Sequence, residues 1–191
     1  MNKLDRDFYI QDTIKAAKAV LGKILVHETP EGILSGRIVE TEAYLQDDPA
    51  CHASRGMTKR NLVMFGEPGH AYVYFTYGFH YCLNFVTRPK GTPEAVLIRA
   101  LEPLEGIEAM RHNRKKTRDT ELCSGPGKLT QAMRIDLFHN GEDLLGDRLY
   151  VVDDAQDVGD ILCKPRIGIK EATDKLWRFY PERCAEWVSK R

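Results

Sequence analysis

The sequence from residue 36 to residue 44 runs Gly36-Arg37-Ile38-Val39-Glu40-Thr41-Glu42-Ala43-Tyr44. It is typical of a buried strand, yet it carries two carboxylates. Because side chains two residues apart on a strand share a face, we expect Glu40, Glu42 and Tyr44 on one side of it. A carboxylate is costly to bury unless it is paired or has a chemical task, and a neighbouring aromatic offers a flat surface for stacking a ring. From this stretch alone, a salt-bridged edge strand and a functional site are both possible interpretations.

Helix and strand signals before and within this stretch predict a mixed α and β fold. Apolar residues at helical spacing follow Asp12 and stop at Gly22, which predicts one short helix. A strand is predicted from residue 23 to residue 27, and a Pro/Gly turn joins it to a return strand from residue 33 to residue 44. This hairpin carries both carboxylates into the sheet.

Later segments extend the same organisation. Residues 95–100 predict a strand that carries Arg99 in an apolar context, and Pro103 is expected to open a helix that runs to Met110. Hairpins outnumber βαβ crossovers in this sequence. We therefore predict an α+β fold, with one domain over residues 1–191 and a mixed, largely antiparallel sheet flanked by helices.

An aromatic and β-branched run from residue 71 to residue 86 predicts a second hairpin, which reverses at Gly78. Tyr77, Phe79 and His80 fall near its tip. Large aromatic side chains at an exposed tip are unfavourable unless they contact a partner. The hairpin is therefore expected to protrude and to touch something outside the protein.

Composition and charge limit the function classes. The chain has 191 residues, a hydrophobic content of 42% and a formal net charge of zero, which argues against indiscriminate electrostatic binding to nucleic acid. Residues 111–118 form a basic cluster that is either a solvated loop or a phosphate-facing one. The first residues lack the apolar core of a signal peptide, and no apolar run is long enough to span a bilayer. We expect an intracellular protein, cytoplasmic in a bacterium or nuclear in a eukaryote, with no membrane partner.

The cysteines and the known cofactor motifs indicate neither a metal nor a nucleotide cofactor. The five cysteines are odd in number and none are at CxxC spacing, so free, mostly buried thiols are predicted. The chain has no P-loop, no GxGxxG fingerprint and no GxSxG elbow. No cofactor and no metal site are therefore predicted.

The remaining residues suit a pocket for a planar ring. Tyr44 and Tyr74 could sandwich a nucleobase beside a strand carboxylate, and an aromatic at a hairpin tip could fill the gap left by a base extruded from a duplex. The segment from Ser124 to Lys128 precedes a predicted helix. Its amides and lysine could hold a phosphate, but on this motif alone an ordinary serine cap followed by proline is the favoured interpretation.

Together, these residues are similar to a known family, and the chain resembles the alkyladenine (3-methyladenine) DNA glycosylases. The matching blocks occur in one order over nearly the whole chain. They are residues 36–44, His52 with Ser54-Arg55-Gly56, Arg60-Asn61, Tyr72-Val73-Tyr74 with Tyr77-Gly78, Asn84, residues 99–106, Leu122 to Pro126 with Lys128-Leu129, Arg166-Ile167-Gly168 and Arg178-Phe179-Tyr180.

The resemblance implies a monofunctional DNA glycosylase. Such an enzyme flips alkylated or deaminated purines out of duplex DNA and hydrolyses the N-glycosidic bond, which initiates base excision repair. It implies duplex DNA that contains damaged purines as the partner, a monomeric state, and no cofactor.

The resemblance also implies a role for individual residues. Glu42 would be the general base that activates a water, and Arg99 would help to position that water and the nucleotide; Glu40 ranks below Glu42 because the family places its base immediately before the Ala-Tyr pair. The base pocket would be lined by Tyr44, His52 and Tyr74, with Asn84 discriminating against the guanine amino group. Tyr77 would be the wedge in the DNA stack. The other expected DNA contacts are Phe79, His80, Arg55, Thr58, Lys59, Arg60, Asn61 and Lys128.

Two rival functions share these residues. A non-catalytic damaged-DNA-binding module would use the same pocket and wedge without needing Glu42. A metal-dependent nuclease would use Glu40 and Glu42 to hold an ion that activates water. The three differ in whether free base is released and whether a chelator stops the reaction.

Overall fold

Nine strands and four α-helices occur in residues 1–76, 78 and 80–190, which are the residues that the computed structural model describes. The strands are β1 (Asn2–Lys3), β2 (Ile24–Thr29), β3 (Gly32–Tyr44), β4 (Ala71–Thr76), β5 (His80–Thr87), β6 (Glu94–Glu105), β7 (Leu149–Asp153), β8 (Ile161–Lys164) and β9 (Arg178–Pro181). The helices are α1 (Arg6–Ile10), α2 (Thr13–Ala19), α3 (Ile107–Arg114) and α4 (Pro126–Ala132). Short 3₁₀ turns lie at Leu62–Phe65, Asp119–Glu121, Leu137–His139 and Glu182–Cys184.

The strands form one sheet in the order β1-β7-β2-β3-β6-β5-β4, with β9 joining β3 to β8. Every pairing between these strands is antiparallel. The α+β class and the largely antiparallel sheet are thus confirmed.

Strand β3 organises the sheet because it has three partners. Its first half pairs with β2, from Gly32 opposite Thr29 to Arg37 opposite Ile24. Near its end the same edge pairs instead with β9, which lies opposite residues 41 and 42. Its other edge pairs with β6 along most of its length. The end of β3 is therefore enclosed by strands on both sides.

Three register shifts interrupt the pairing of β3 with β6, and two of them are bulges that lie beside the carboxylates. Ile38 lies opposite Leu101 and Glu40 opposite Ala100, so Val39 is an extra residue on β3. Thr41 lies opposite Ile98, so Arg99 is an extra residue on β6. Bulges bend a strand and redirect its side chains, and they are common beside active sites.

The core lies between the sheet and the helices. Asp12 caps α2 by accepting from the backbone N–H groups of Ile14 and Lys15, so the helix that was predicted after Asp12 is present. The hydroxyl of Thr41 donates to the carbonyl of Ala17 at 2.7 Å, so α2 covers the face of β3 that carries Thr41. The largest fully buried apolar side chains are Phe85, Phe179, Leu21, Leu25, Ile38, Leu83, Ile98, Leu101, Met110 and Leu122.

The predicted helix from Pro103 to Met110 is wrong in its first half. Pro103 belongs to β6, where it lies opposite Gly36, and α3 begins only at Ile107. The Leu101 N–H donates to the carbonyl of Cys123 and therefore points away from β3. Backbone groups two residues apart on a strand point the same way, so the N–H that Pro103 lacks would not have bonded to β3. Gly106 ends the strand with φ 74°, and a Cβ there would lie 2.6 Å from the carbonyl oxygen of Ile33.

Strands β4 and β5 pair antiparallel from Ala71 opposite Phe85 to Thr76 opposite His80. Tyr77 and Phe79 of the predicted tip lie outside the described residues, so their contact with DNA stays a prediction.

Three chemical features complete the description of the chain. All five cysteines are free thiols; Cys163 is half-buried and the other four are buried. Within the described ranges, no cluster of three or more His, Cys, Asp and Glu side chains is arranged to hold a metal ion. Among those same residues, no helix has the length and apolar character needed to cross a membrane.

Candidate active site

A row of directly paired residues crosses four strands at the centre of the site. Tyr72 lies opposite Asn84, Asn84 opposite Leu97, and Leu97 opposite Glu42. Directly opposed residues in an antiparallel sheet point to the same face. This face is opposite the one that α2 covers, and it forms the floor of a cavity.

The cavity has a volume of about 660 Å³, which is within the roughly 300–1,000 Å³ that is usual for small-molecule sites. Its walls come from the sheet, from the loop after β3 and from the segment after β8. The lining residues are Tyr44, Pro49, Ala50, Cys51, His52, Arg55, Met64, Tyr72, Tyr74, Thr76, Cys82, Asn84, Ala95, Leu97, Arg99, Pro126 and residues 167–171.

Glu42 is completely buried. It does not line the cavity itself, but it lies directly behind lining residues that it contacts. Its Oε1 accepts the backbone N–H of Ile167 at 2.7 Å, and its Oε2 accepts the Tyr44 hydroxyl at 2.8 Å. The Arg99 Nη1 lies 3.2 Å from Oε2. Burial raises the pKa of the Glu42 carboxyl above its ordinary value, while Arg99, the Ile167 N–H and the Tyr44 hydroxyl act against that rise. A raised pKa makes the ionised carboxylate a stronger base.

Arg99 is the charge partner of both strand carboxylates. Its Nε lies 3.4 Å from Glu40 Oε1, and its side chain is only 6% exposed. Burial acts to lower the pKa of Arg99, but the Glu42 and Glu40 carboxylates outweigh burial and raise it. The guanidinium is therefore a permanent cation at the edge of the cavity.

Glu40 is as buried as Glu42, but its surroundings are different. Its Oε1 accepts from Arg178 Nη1 at 2.8 Å and from the Ser189 hydroxyl at 2.9 Å. Its Oε2 accepts the backbone N–H of Ser189 at 2.7 Å. These donors come from β9 and from the segment after it, and Glu40 is not among the cavity-lining residues.

The Tyr44 ring is held from behind by a buried ion pair. The Arg166 guanidinium lies 4.6 Å from the centroid of the Tyr44 ring and 5.1 Å from the centroid of the Trp177 ring. Arg166 donates to both oxygens of Asp48 and to the carbonyl of Ala43. The position of Tyr44 is therefore fixed by the loop after β3 and by the segment after β8.

Three further rings that line the cavity contact one another. The His52 ring lies 4.5 Å from that of Tyr74, at an angle of 70°, and the Tyr72 and Tyr74 rings lie 5.3 Å apart. His52 Nδ1 and the Tyr72 hydroxyl are hydrogen-bonded at 3.0 Å. His52 is exposed at the cavity, but partial removal of its ring from water lowers its pKa, and the positive charge of Arg60 lowers it further. Burial raises the pKa of Tyr72 to about 12, so at neutral pH both groups are uncharged.

Asn84 lies on the floor of the cavity and is 4% exposed. Its Nδ2 donates to the backbone carbonyl of Tyr72 at 3.0 Å, which fixes the orientation of the amide. A fixed amide at this point is suited to distinguish one base edge from another.

The loop after His52 is organised by Asn61. This side chain is 1% exposed, and its amide donates to the carbonyls of His52 and Gly56 at 2.9 and 3.0 Å. Its Oδ1 accepts the N–H of Thr58. All of these contacts are internal, so Asn61 holds the loop that carries His52, a positioning role that the sequence did not indicate.

The predicted DNA contacts differ in their surroundings. Arg55 lines the cavity, Lys59 is exposed, and Arg60 lies over the Tyr74 ring at 4.9 Å. His80 packs against Gly127, where a Cβ would lie 2.7 Å from the imidazole. Lys128 is half-buried and donates to Ser124 Oγ at 3.4 Å. The helix that follows is capped by Gly125 without a side-chain hydrogen bond, so Ser124 is not its cap.

The basic cluster at residues 111–118 is largely matched by acids. Arg111 pairs with Glu108 and Asp119, and two further cations of the cluster lie 3.7 and 3.9 Å from Glu121. These pairings favour the interpretation of this cluster as a solvated structural segment.

Sequence reasoning missed three contributors to the site. Tyr72, Ile167 and Ser189 were not predicted as site residues, although the first two lie within blocks that matched the resemblance. Alternation along β4 placed Tyr72 on the face of Tyr74 and could have identified it. No local signal pointed to Ser189.

Comparison with known proteins agrees with this geometry. The family model described as methylpurine-DNA glycosylase (MPG) matches residues 7–185. Three curated relatives each carry the name "Putative 3-methyladenine DNA glycosylase". The protein from Prosthecochloris aestuarii is 54% identical over 94% of this chain and 88% of its own length. The protein from Carboxydothermus hydrogenoformans is 52% identical over 98% and 99%, and that from Methanocella arvoryzae is 50% identical over 100% and 98%.

Proposed function

The chain belongs to the methylpurine-DNA glycosylase family, and from this premise we propose that it excises alkylated or deaminated purines from duplex DNA by hydrolysis of the N-glycosidic bond. The enzyme is a DNA glycosylase and therefore a hydrolase. The damaged purine is turned out of the duplex into the aromatic cavity, and the reaction begins base excision repair.

Glu42 is the general base in this proposal. A carboxylate has about four acceptor positions, and the contacts with Ile167, Tyr44 and Arg99 use three of them. One position on Oε1 is left to accept a proton from water. The water attacks C1′ of the deoxyribose as the bond to the base breaks, and the nearby negative charge stabilises the positive charge that develops on the sugar.

Arg99 keeps Glu42 ionised and helps to orient the water and the nucleotide. Its charge is shared between two carboxylates, so it does not cancel that of Glu42. Cys82 and Leu97 complete the floor between this charged end and the rings.

The rings of Tyr44, Tyr74 and His52 hold the base. An alkylated purine is cationic or electron-poor, and aromatic faces attract such a ring. It is also a good leaving group, so little acid assistance is required. His52 is uncharged, which avoids repulsion with a cationic base.

The DNA-facing rim of the proposal includes Tyr77, Phe79 and His80 at the hairpin tip, with Arg55, Thr58, Lys59, Arg60 and Lys128 around it. Asn61, which was also predicted to contact DNA, is buried and supports this rim from inside the protein. Tyr77 fills the gap left by the flipped base. A monomer suffices, because the general base Glu42 and the residues that hold the purine come from one chain.

One observation carries the proposal: a fully buried carboxylate is paired with Arg99 immediately behind the wall of an aromatic cavity that is large enough for a base. A surface that only bound damaged DNA would not need to bury this pair, which is costly in the absence of a chemical role.

The test is single-turnover release of free base from a duplex oligonucleotide with one hypoxanthine or 3-methyladenine analogue, with chelator present. We expect release by the wild type and none by Glu42→Gln. Glu28→Gln, which removes a carboxylate from β2 outside the cavity, is the matched control and should react like the wild type. Tight lesion binding without release in the wild type would identify a damage-binding module, and loss of release on chelation a metal-dependent enzyme.

A further inference from the structure

The segment after β9 returns to the sheet and places Ser189 beside the charged end of the site. Ser189 is 8% exposed and lies 149 residues from Glu40 in the chain. Its backbone N–H and its hydroxyl donate to the two different oxygens of Glu40, at 2.7 and 2.9 Å. Ser189 therefore donates to both oxygens of the Glu40 carboxylate.

Arg99 fixes the direction of the serine hydroxyl. Arg99 Nε and Nη2 lie 3.3 and 3.0 Å from Ser189 Oγ. A guanidinium can only donate, so Oγ accepts from Arg99 and its own hydrogen is directed to Glu40. One hydroxyl thus connects the buried cation to the buried anion.

These contacts use one edge of the guanidinium and leave the other edge for chemistry. Nε and Nη2 face Ser189 and Glu40, while Nη1 lies 3.2 Å from Glu42. Because the guanidinium is planar and rigid, fixing one edge fixes the direction of the other. Arg178 donates to Glu40 at 2.8 Å and holds the carboxylate in place.

We propose that Ser189 is a positioning residue of the excision reaction, which clamps Arg99 to Glu40 so that the free edge of the guanidinium is aimed at Glu42 and the cavity. It acts through Arg99. The kinetic part of this inference rests on the proposed function, whereas its geometric part can be measured without catalysis.

Loss of the clamp should change the pKa of Glu42 in a defined direction. If the hydroxyl is removed, the Nε and Nη2 edge of Arg99 is no longer held, Nη1 is no longer aimed at Glu42, and the attraction of Arg99 for the ionised form of Glu42 weakens. The pKa of Glu42 then rises further, and activity at acidic pH is lost at a higher pH than in the wild type. The titratable and charged groups that face Glu42 are Arg99 of β6, Glu40 and Tyr44 of β3, Cys82 of β5 and Arg166 of the segment after β8.

The experiment compares Ser189→Ala with Ser189→Thr, which keeps the hydroxyl, and Ser189→Cys, which keeps the shape with a weak donor. Ser35→Ala, a buried serine near the other end of β3, is the matched control. Single-turnover excision is measured across pH, together with lesion-DNA affinity and thermal stability. We expect a rate loss of about tenfold or more for Ser189→Ala and Ser189→Cys, an acid limb moved to higher pH, unchanged affinity, and recovery in Ser189→Thr.

An unchanged rate and an unchanged acid limb in Ser189→Ala would overturn the inference. So would a loss in which affinity, rate and melting temperature fall together in Ser189→Ala, Ser189→Cys and Ser189→Thr, because that result describes a merely structural serine. If the wild type releases no base, the proposed function fails, and the clamp is judged by carboxyl ¹³C NMR. A higher titration midpoint for Glu42 in Ser189→Ala supports the clamp, and an identical midpoint rejects it.

Discussion

Glu40 and Glu42 lie two residues apart on β3, both have no exposed surface, and both contact Arg99. Around Glu40, the donors come from Ser189 and Arg178, which close it off. Around Glu42, the donors are Tyr44, Ile167 and Arg99, and all three line the cavity. One carboxylate therefore faces protein, and the other is separated from the cavity only by its own partners.

The comparison teaches that burial alone does not distinguish a structural carboxylate from a reactive one. The distinction lies in the partners. A carboxylate is anchored when its hydrogen-bond donors belong to the core. When its donors also line a cavity, water or a substrate in that cavity can reach the carboxylate. The same cation serves both, so Arg99 links the anchor to the proposed reactive group.

The strongest test exchanges the two carboxylates for amides. Glu42→Gln should reduce the single-turnover rate by about 10³-fold or more, with little change in melting temperature, because it removes the base and keeps the side-chain shape. Glu40→Gln should retain measurable excision but lower the free energy of unfolding by about 3–5 kcal/mol, because it breaks a buried ion pair. Chemical denaturation and base release, measured on both variants, decide the matter; equal rate losses with equal stability losses would erase the distinction between them.

The pH dependence offers a second test of the difference. Glu42 must be ionised to accept a proton, and burial raises its pKa. Excision should therefore decline as pH falls through a value above the usual range of glutamate, by about tenfold per unit below it. The limb is measured with a lesion whose own protonation does not change over the range. A rate that rises as pH falls would show that an acid, and not Glu42 as base, controls the step.

A smaller effect is expected at the ring wall. Tyr72→Phe keeps the ring and removes the hydroxyl that bonds His52 at 3.0 Å. A single neutral hydrogen bond contributes about 0.5–1.5 kcal/mol, so lesion affinity should weaken by about two- to tenfold. Fluorescence titration with lesion DNA measures this, and undamaged DNA is the control. An equal loss of affinity for undamaged DNA would show that the hydrogen bond to His52 does not contribute to recognition of the damaged base.

The smallest effect is expected at the rim. Lys128→Ala should weaken DNA binding a few fold and reduce the slope of log affinity against log salt by about one, without changing the excised base. Lys15→Ala, on α2 across the sheet from the cavity, is the matched control. A salt slope identical to that of the wild type would remove Lys128 from the set of phosphate contacts.

Local sequence rules predicted those parts of the fold that depend on neighbours in the chain. The helix after Asp12 and the β2–β3 hairpin follow from capping and alternation. The same alternation placed Glu42 and Tyr44 on one face, where their side chains are hydrogen-bonded. The start of the helix at Pro103 was wrong because pairing with β3, a distant strand, extended β6 through the proline.

The site depends on contacts that no local rule encodes. The bulge that makes Arg99 an extra residue arises from the register between β3 and β6. The Ile167 N–H comes from 125 residues beyond Glu42.

The sequence by itself determined the strand, its two carboxylates, the aromatic residues beside them and the resemblance that they carry, because residue type and alternation are local properties. The tertiary structure decided which carboxylate borders the cavity and which one is anchored. That decision follows from where Ser189 and Arg178 dock, and docking depends on packing between segments far apart in the chain.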